Sequence, residues 1–579
     1  MNLKTGLKLA VMGLLLGRTA SVGLAETPQF KVRAIWVDPA SFASPAAADE
    51  TLARCARAGI NLILPNVMSH RAVSFRSAHF RGRVAANSEF DPLANVLAKA
   101  HALGMRVQPW CCVYYEGAGR RTRGASSRNW LNLSIDGRPF EQDFLSPSNP
   151  EVNPYLLSVL KDLLPYDIDG IHLDYIRYPG TAFDYSDAGR QAFKADCGFD
   201  PQDFLDHADR IVAPDREKFP IRVLHPKSHV EKVWEDTALE RALDQAGVGF
   251  AFVSEEPGLI ESLRVPGLLI LSSYYEIPPE MRQELADYVS RGGNLLWTDV
   301  PAGALPGSAA LQDLIGISAA RWRGECRIAL RPAGELPLGR AFSTNAFAAE
   351  SAHDLTLKGA VVVANLDNGK PAITLKASGK GRVLVTAFHL MKSTSPVVVA
   401  ATRDIVNWFR AEAGVAGVDP LAAKRAAWAK WRGERVTQLV RDISRAAKQD
   451  NPQLVISSSG GPSPSEFYAC YRDAGGWLAE GINDQLFPMN YTPDPATLAD
   501  LLAWQAESAP AGKRDRIFPG LQLYASRVVN GKQVSGPADA AIVDQELRVV
   551  RQQGYEGFCL FAYDYLSDEI LSVVRKFNP

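Results

Sequence analysis

The sequence predicts an α/β protein: a (β/α)8 TIM barrel that is split by an inserted doubly wound, flavodoxin-like α/β domain. Apolar runs of strand length alternate with helical patterns, the order that a parallel sheet requires. Four such strands precede the middle of the chain and four follow it, which is the strand count of a TIM barrel. With 579 residues, the chain is long enough for both domains.

The first barrel half, assigned to residues 26–218, contains four apolar runs, each followed by a helical pattern. The predicted strands are 33–38 (RAIWVD), 61–67 (NLILPNV), 106–115 (RVQPWCCVYY) and 170–178 (GIHLDYIRY). Helices are predicted between them, for example over 49–58 and 92–103.

The second barrel half, assigned to residues 418–579, repeats this order. Its predicted strands are 453–459 (QLVISSS), 484–491 (DQLFPMNY), 517–524 (IFPGLQLY) and 557–566 (GFCLFAYDYL). The helices between them are predicted over 432–448, 495–507 and 538–553.

A separate α/β pattern occupies residues 219–417. Strands are predicted at 221–225, 249–253, 268–272, 294–298, 360–364 and 382–388, with helices over 230–246, 278–291 and 397–412. Barrels accept such insertions because their strand-to-helix loops tolerate added chain. We therefore expect a second domain in the loop between the fourth and fifth barrel strands.

The inserted segment resembles class I glutamine-amidotransferase-like domains in the stretch YVSRGGNLLWTD, residues 288–299. That resemblance implies a cysteine nucleophile on a sharp turn, yet no cysteine lies between Cys197 and Cys326. We expect a structural or ligand-shaping module, or one through which the protein forms a homo-oligomer. Carbohydrate binding is the alternative for this domain.

Residues 1–25 predict a cleaved signal peptide. Lys4 and Lys8 precede the short apolar run 9–16, and small residues stand at Gly23 and Ala25. The run is too short to span a bilayer, so an uncleaved anchor is the weaker alternative. We expect a secreted or periplasmic protein without stable membrane insertion after cleavage.

Composition excludes some function classes. Lys and Arg total 63 and Asp and Glu total 64, so the chain has no excess of positive charge. Proteins that bind nucleic acids usually have such an excess to contact the phosphates, and we therefore expect no nucleic-acid partner. Neither a CxxC pair nor an HExxH motif is present, and we predict no metal and no cofactor.

Polar side chains stand at the carboxyl ends of the predicted barrel strands, where barrel enzymes place their active sites. Carboxylates, amides and aromatic rings together are typical of a sugar site. These residues are Asp38, Tyr114, Tyr115, Glu116, His172, Asp174, Arg177, Asn490, Tyr491, Gln522, Tyr524, Tyr563 and Asp564.

The segment DIDGIHLDYIRYP, residues 167–179, is the most informative. Because side chains alternate along a strand, His172 and Asp174 share the interior face, with Asp174 nearer the catalytic mouth. A charged Asp inside a barrel is costly unless it is paired or functional. The alternative to a functional role is an Asp174–Arg177 ion pair that closes the strand end.

Several ordered blocks resemble the glycosyl hydrolase-like 10 family. They are RAIWVD, GIHLDYIRYP, FDYSDAGRQAFKADCGFDP (183–201), WRGERVTQLVRDI (431–443), FPMNY (487–491) and GFCLFAYDYL. The resemblance covers 26–215 and 420–579 but not the insert. Some bacterial members are similar to enzymes that cut peptidoglycan glycan strands.

The resemblance implies a glycoside hydrolase with two carboxyl groups across the scissile bond. Asp174 is then the nucleophile or stabilising carboxylate, and Asp473 or Glu116 the proton donor, with Asp564 a third alternative. The expected substrate is a polysaccharide or a peptidoglycan glycan. Substrate contacts are expected from Asp38, Tyr114, His172, Arg177, Asn490, Tyr491, Gln522 and Asp564. The alternative is a non-catalytic carbohydrate-binding protein of the same fold.

Overall fold

A computed structural model of the chain describes residues 29–577 apart from a set of short segments. The predicted signal peptide and most of the helix predicted over 230–246 lie outside the described residues. The segments left out are 70–71, 81–88, 118–129, 135–136, 141–142, 181–182, 204–218, 225–238, 240–241, 244–245, 254–262, 272–276, 278, 299–304, 306–307, 334–345, 391–395, 416–419, 464 and 530–531.

Eight parallel strands form a closed barrel. The first strand pairs with the second and with the eighth, and parallel bridges from Leu486 to Ile517 and from Met489 to Gly520 join the sixth strand to the seventh. The predicted TIM barrel is therefore confirmed. In order, its strands are Val32–Val37, Leu62–Ser69, Trp110–Cys112, Gly170–Asp174, Val455–Ser458, Gln485–Leu486, Gly520–Gln522 and Gly557–Phe561.

Helices follow the barrel strands, and several begin at a side chain that caps them. Ser44, Asp91, Asp494, Asp539 and Ser567 each accept a backbone N–H from the first turn of the helix that follows. The helices are Pro45–Arg57, Pro92–Ala102, Val152–Lys161, Asp187–Cys197, Pro420–Asp450, Ser465–Cys470, Ala474–Glu480, Pro495–Ser508, Ala540–Gln552 and Asp568–Lys576. Short 3-10 turns lie at Pro39–Phe42, Pro201–Asp203, Arg514–Arg516 and Tyr563–Tyr565.

Two barrel elements differ from the prediction. The predicted strand 106–115 is broken into Arg106–Val107 and Trp110–Cys112, with Pro109, which lacks an N–H, between the two pieces. The helix predicted to begin at 432 begins at Pro420, because its first turns bury Trp428 against Phe193.

Aromatic side chains fill the barrel interior. Trp36 lies at its centre, with ring centroids 6.3 Å from Phe487 and 5.8 Å from Phe561. Gly520 leaves room for this indole, since a Cβ there would lie 2.9 Å from the nearest Trp36 ring carbon. A second, larger apolar layer lies between the strands and the helices.

A second sheet lies within residues 221–386. Five of its strands are parallel, in the spatial order Ala251–Val253, Ile221–Leu224, Leu268–Leu271, Asn294–Thr298 and Gly381–Thr386. Pro371–Ser378, Val361–Asn365 and Arg331–Pro332 extend the sheet antiparallel. The boundaries of an inserted domain and its flavodoxin-like class stay predictions.

Other elements accompany the two sheets. Ile317–Ala329 and Ala346–Leu357 pair as an antiparallel ribbon, near the helices Pro279–Arg291, Ala309–Ile315 and Pro396–Glu412. The barrel carries the short strands Ala72–Val73, Tyr115–Gly117, Asp143–Phe144, Tyr524–Val529 and Lys532–Pro537. Within the described part of the chain, no helix has the length and apolarity needed to cross a membrane.

Candidate active site

An open cavity of about 470 Å³ lies at the carboxyl ends of the barrel strands, within the size range of small-molecule sites. Its walls combine carboxyl groups, a guanidinium and many aromatic rings. The lining residues are Trp36, Asp38, Pro39, Asn66, Ser69, Trp110, Cys112, Tyr115, Asp174, Tyr175, Arg177, Met489, Tyr491 and Phe561.

Asp174 is the last residue of the fourth strand, and three hydrogen bonds orient its carboxylate. Oδ2 accepts the indole N–H of Trp110 at 3.0 Å. Oδ1 accepts the hydroxyl of Ser459 at 2.5 Å and the backbone N–H of Tyr175 at 2.7 Å. These three donors are neutral groups from neighbouring strands, and the charges of Arg177 and Arg472 interact favourably with the carboxylate.

His172 lies below Asp174 in the barrel interior and is fully buried. Its Nε2 accepts the indole N–H of Trp36 at 3.1 Å, so its Nδ1 carries the proton and donates to Ser457 at 2.9 Å. Ser457 in turn donates to Gln108. Burial lowers the pKa of His172 to about 4, which matches a neutral ring that braces the floor of the site.

Asp38 follows the first strand, and its carboxyl group meets that of Asp564, which follows the eighth strand. Burial, the nearby Asp564 charge and a hydrogen bond between the two carboxyls raise the pKa of Asp38 to about 6. Ser41 donates to Asp564 Oδ1 at 3.3 Å, which anchors the exposed partner. A hydrogen bond between two carboxyl groups requires that one of them carry a proton.

One wall of the cavity is a stack of tyrosines. The rings of Tyr115 and Tyr175 lie 4.5 Å apart and nearly parallel, and the Arg177 guanidinium lies 5.0 Å from the Tyr175 ring. Tyr175 has φ 47°, a left-handed conformation that is uncommon for a tyrosine. Such backbone strain concentrates at functional sites.

The opposite wall comes from the second barrel half. Tyr491 stacks on Phe561 with centroids 5.1 Å apart, and Tyr524 lies 6.3 Å from Phe561. Met489, which is 40% exposed, completes this side of the mouth. The cavity therefore offers flat apolar faces on two sides of Asp174.

The structure brings six of the sequence-predicted residues to this mouth. Asp38, Tyr115, Asp174, Arg177 and Tyr491 line the cavity, and Asp564 contacts Asp38 at its rim. Their functional roles stay predictions, because geometry alone does not test them.

Two predicted residues from the end of the third strand are not among the lining residues of the cavity. Tyr114 is buried in the layer outside the barrel and donates to Asn153 of the helix Val152–Lys161 at 2.7 Å. Glu116 is also buried and lines a small neighbouring pocket beside Tyr155 of the same helix; this pocket shares Ser69, Cys112 and Tyr115 with the open cavity. Neither residue is among those that line the open cavity.

Four other predicted residues are not among the lining residues of the cavity: His172, Asp473, Asn490 and Gln522. Asp473 is exposed and caps the helix Ala474–Glu480 by accepting the Gly476 N–H at 3.0 Å. Asn490 is buried and accepts a hydrogen bond from Gln505 at 2.6 Å. Gln522 donates to the Tyr524 carbonyl at 3.2 Å.

Sequence reasoning missed several lining residues. Asn66 lies within the second predicted strand, Ser69 lies two residues beyond its predicted end, and Tyr175 directly follows Asp174. Ser459, which bonds to Asp174, ends the polar run SSS of the fifth predicted strand, and that run is the sequence signal for it. Within the described residues, no group of three or more His, Cys, Asp or Glu side chains is arranged to hold a metal ion.

Comparisons with known proteins bear on the barrel's first half. Residues 31–208 match the family model described as glycosyl hydrolase-like 10, which confirms the expected resemblance there. The protein named Glycosyl hydrolase DigH, from Escherichia coli, is 25% identical over 125 residues. The aligned region covers 19% of this chain and 28% of that relative, so the chain spans less than a third of the length of the curated relatives it matches.

Solved structures give weaker likenesses. A β-galactosidase from Rahnella sp. is 11% identical, with a TM-score of 0.29 over 68% of this chain and 90% of that one. Alpha-L-fucosidase isoenzyme 2 from Paenibacillus thiaminolyticus is 10% identical, with a TM-score of 0.23 over 65% of this chain and 83% of that one.

Proposed function

We propose that this protein is an exported glycoside hydrolase that cleaves glycosidic bonds of a polysaccharide or of a peptidoglycan glycan. The match of residues 31–208 to a glycosyl hydrolase-like family supports this class of chemistry, and the matched segment contains Asp38, Asp174 and Arg177. The observation that carries the proposal is the oriented Asp174 carboxylate at the mouth of an aromatic-walled cavity.

Asp174 is suited to stabilise or attack an anomeric carbon. Glycoside hydrolysis passes through an oxocarbenium-like state whose positive charge a fixed carboxylate stabilises. The donors Trp110, Ser459 and the Tyr175 N–H hold both oxygens in place before substrate arrives, so little reorganisation is needed during the reaction.

The walls are suited to bind sugar rings. The exposed faces of the Tyr115–Tyr175 and Tyr491–Phe561 stacks offer apolar surfaces for the C–H faces of pyranoses. Arg177 supplies hydrogen-bond donors for hydroxyl groups beside Asp174. Polar groups among aromatic surfaces fix the orientation of such a ligand.

Product release from a glycan panel tests the proposal. Purified peptidoglycan strands and plant or algal polysaccharides are incubated with the wild type, Asp174→Asn and Asp473→Asn. Asp473 is the matched control, because it lies outside the cavity and asparagine caps helices as well as aspartate does. We expect release by the wild type and by Asp473→Asn, and a loss of at least about 10³-fold in Asp174→Asn.

Other outcomes separate the alternatives. Equal release by the wild type and Asp174→Asn would remove Asp174 from the chemistry. Saturable binding of a glycan without any cleavage would favour a carbohydrate-binding protein. Export is tested separately, by the mass of the N-terminus in the secreted or periplasmic fraction, which we expect to begin near residue 26.

A further inference from the structure

Of the three carboxyl groups that the sequence offered as proton donors, Glu116 and Asp473 lie outside the lining of the cavity that holds Asp174, and Asp564 contacts Asp38 at its rim. A glycosidase needs a second carboxyl group across the scissile bond. Among the described residues, Asp38 is the other carboxyl-bearing side chain that lines this cavity.

We propose that Asp38 is the proton donor of the glycosidase reaction and that Asp564 is its positioning residue, holding the proton on the pair. This inference rests on the proposed function. It gives the proton-donor role to Asp38, from which the sequence analysis expected a substrate contact, and a supporting role to Asp564, which was the third candidate donor.

Barrel closure brings the two carboxyl groups together. The first and eighth strands pair directly, from Val32 opposite Gly557 to Ile35 opposite Leu560. Asp38 and Asp564 therefore follow neighbouring strand ends although they are far apart in the sequence. Ser41 donates a 3.3 Å hydrogen bond to Asp564 Oδ1, which supports this exposed carboxyl group beside Asp38.

Asp38 and Asp174 lie on different sides of the mouth. They follow the first and the fourth of eight strands, so two strand ends separate them around the rim. A sugar bound in the cavity would therefore lie between the carboxyl groups of Asp38 and Asp174, as glycoside hydrolysis requires.

A buried amide between the two carboxyls also points to a ligand. Asn66 belongs to the second strand, between the strands of Asp38 and Asp174, and is 3% exposed. Its Oδ1 has no hydrogen-bond partner among the described residues, while its Nδ2 contacts the Cys112 sulfur at 3.6 Å. A sugar hydroxyl in the cavity would supply the missing donor, because buried polar atoms are rarely left unsatisfied.

Burial and the nearby Asp564 charge together keep the proton of Asp38 available as the pH approaches neutrality. Burial is the main cause that raises its pKa to about 6, and Asp564 adds to it. Across the cavity lie Asp174, Arg177 and the phenol groups of three tyrosines, Tyr115, Tyr175 and Tyr491. On the outer side, Glu50 and Arg54 face Tyr563, beside Asp564. A general acid works best when its pKa lies close to the working pH.

The proposed step is balanced in atoms and charge. The Asp38 O–H bond breaks as a new O–H bond forms on the glycosidic oxygen, which takes the electron pair of the breaking anomeric C–O bond. The leaving alcohol departs neutral, and Asp38 is left as a carboxylate. Water then adds to the anomeric carbon, either directly or after Asp174 has bonded to it, and its released proton restores the Asp38–Asp564 pair.

Aryl glycosides of the sugar released in the glycan panel test the donor role. We expect Asp38→Asn to lose about 10²-fold to 10⁴-fold in kcat/KM with a poorly acidic leaving group, which needs protonation. With a strongly acidic leaving group such as dinitrophenol the loss should fall below about 10-fold, because that group departs without a proton. Asp473→Asn, the matched control, should behave as the wild type with both.

Asp564→Asn tests the positioning role. Removing its charge should shift the basic limb of the pH profile for kcat/KM to lower pH, while KM changes little. A pH profile identical to that of the wild type would overturn the role of Asp564. Carboxyl ¹³C NMR of the free enzyme measures the same effect without substrate. We expect the pKa of Asp38 to be near 6 in the wild type and lower in Asp564→Asn. An ordinary pKa for Asp38 in the wild type would overturn the proposal that the two carboxyl groups share a proton.

The outcomes distinguish this inference from the proposed function. Equal losses with both leaving groups in Asp38→Asn, from a wild type that cleaves glycans, would overturn the donor role and leave the glycosidase intact. A folded wild type that cleaves no glycoside would overturn both.

Discussion

The indole Nε1–H of Trp110 donates a 3.0 Å hydrogen bond to Asp174 Oδ2. The two residues stand on the third and fourth barrel strands, which pair so that Cys112 lies opposite Asp174. Trp110 therefore reaches forward from a position two residues earlier along its strand and sets the plane of the carboxylate. A buried tryptophan, which the sequence alone would assign to the core, thereby orients the carboxylate that we propose to be catalytic.

Trp110→Phe tests that contact. It keeps most of the ring and removes the donor, so we expect kcat to fall about 10-fold to 100-fold, the usual loss for a hydrogen bond to a charged group. Trp477→Phe is the control, since it removes a 2.8 Å indole hydrogen bond to Thr437 away from the cavity. Steady-state kinetics with the cleaved glycan are the measurement, and equal kcat values for the two variants would contradict the prediction.

Tyr491→Ala tests the aromatic walls. Loss of the ring that stacks on Phe561 should raise KM about 10-fold with a smaller change in kcat, because the proposed sugar contact would be the same in the ground and transition states. Tyr114→Phe is a control from the same class of residue, since its hydroxyl bonds to Asn153 outside the barrel. If Tyr491→Ala left KM unchanged, sugar binding on that wall would be excluded.

His172 gives a prediction for stability against pH. Its folded pKa of about 4 lies below the ordinary value of 6.5, so the unfolded chain takes up a proton first as the pH falls. The stabilising contribution is therefore complete above about pH 6.5 and is lost progressively down to about pH 4. The loss is on the order of 3 kcal/mol.

Urea unfolding at pH 7.5 and pH 4.5 measures this effect in the wild type and in His172→Gln. The other titratable groups are the same in both proteins, so their contributions to the pH dependence cancel. Between the two pH values, the free energy of unfolding should therefore fall by about 2–3 kcal/mol more in the wild type than in the variant. An equal loss in the two proteins would show that His172 is protonated in the folded state.

Gly520→Ala tests the packing of the barrel interior. The added Cβ would meet the Trp36 ring and the Pro488 carbonyl, each at 2.9 Å, so either the strand or the indole has to shift. We expect a loss of about 1–3 kcal/mol in the free energy of unfolding. Thermal unfolding is the measurement, and an unchanged Tm would mean that the interior accommodates the methyl group.

The sequence predicted the barrel well because its signals are local. Short apolar runs at 33–38 and 170–178 correspond to the strands Val32–Val37 and Gly170–Asp174, and each barrel strand prediction overlaps a strand of the closed sheet. The placement of Asp174 in the mouth followed from simple alternation along its strand.

Side-chain direction beyond the strand ends was less predictable. Alternation stops at Cys112, where the third strand ends, so Tyr115 faces the cavity while Tyr114 faces a helix. Asn490 is likewise turned toward Gln505. Side chains alternate only while the chain stays extended. Tyr114, Tyr115 and Asn490 lie beyond the ends of their barrel strands, at Cys112 and Leu486, so alternation does not fix their directions.

Contacts between distant strands were not predictable at all. The pair Asp38 and Asp564 exists only because the first and eighth strands close the barrel, and no local pattern marks it. The role of Asp473 as a helix cap depends on the turn that follows it, which a motif match does not reveal.

A co-crystal structure of Asp174→Asn with an intact oligosaccharide of the cleaved glycan tests the central claim most directly. We predict a sugar between the two aromatic walls, its anomeric carbon against the side chain at position 174 and its glycosidic oxygen within hydrogen-bond distance of Asp38. A glycan bound elsewhere on the molecule, with the barrel mouth empty, would contradict the account.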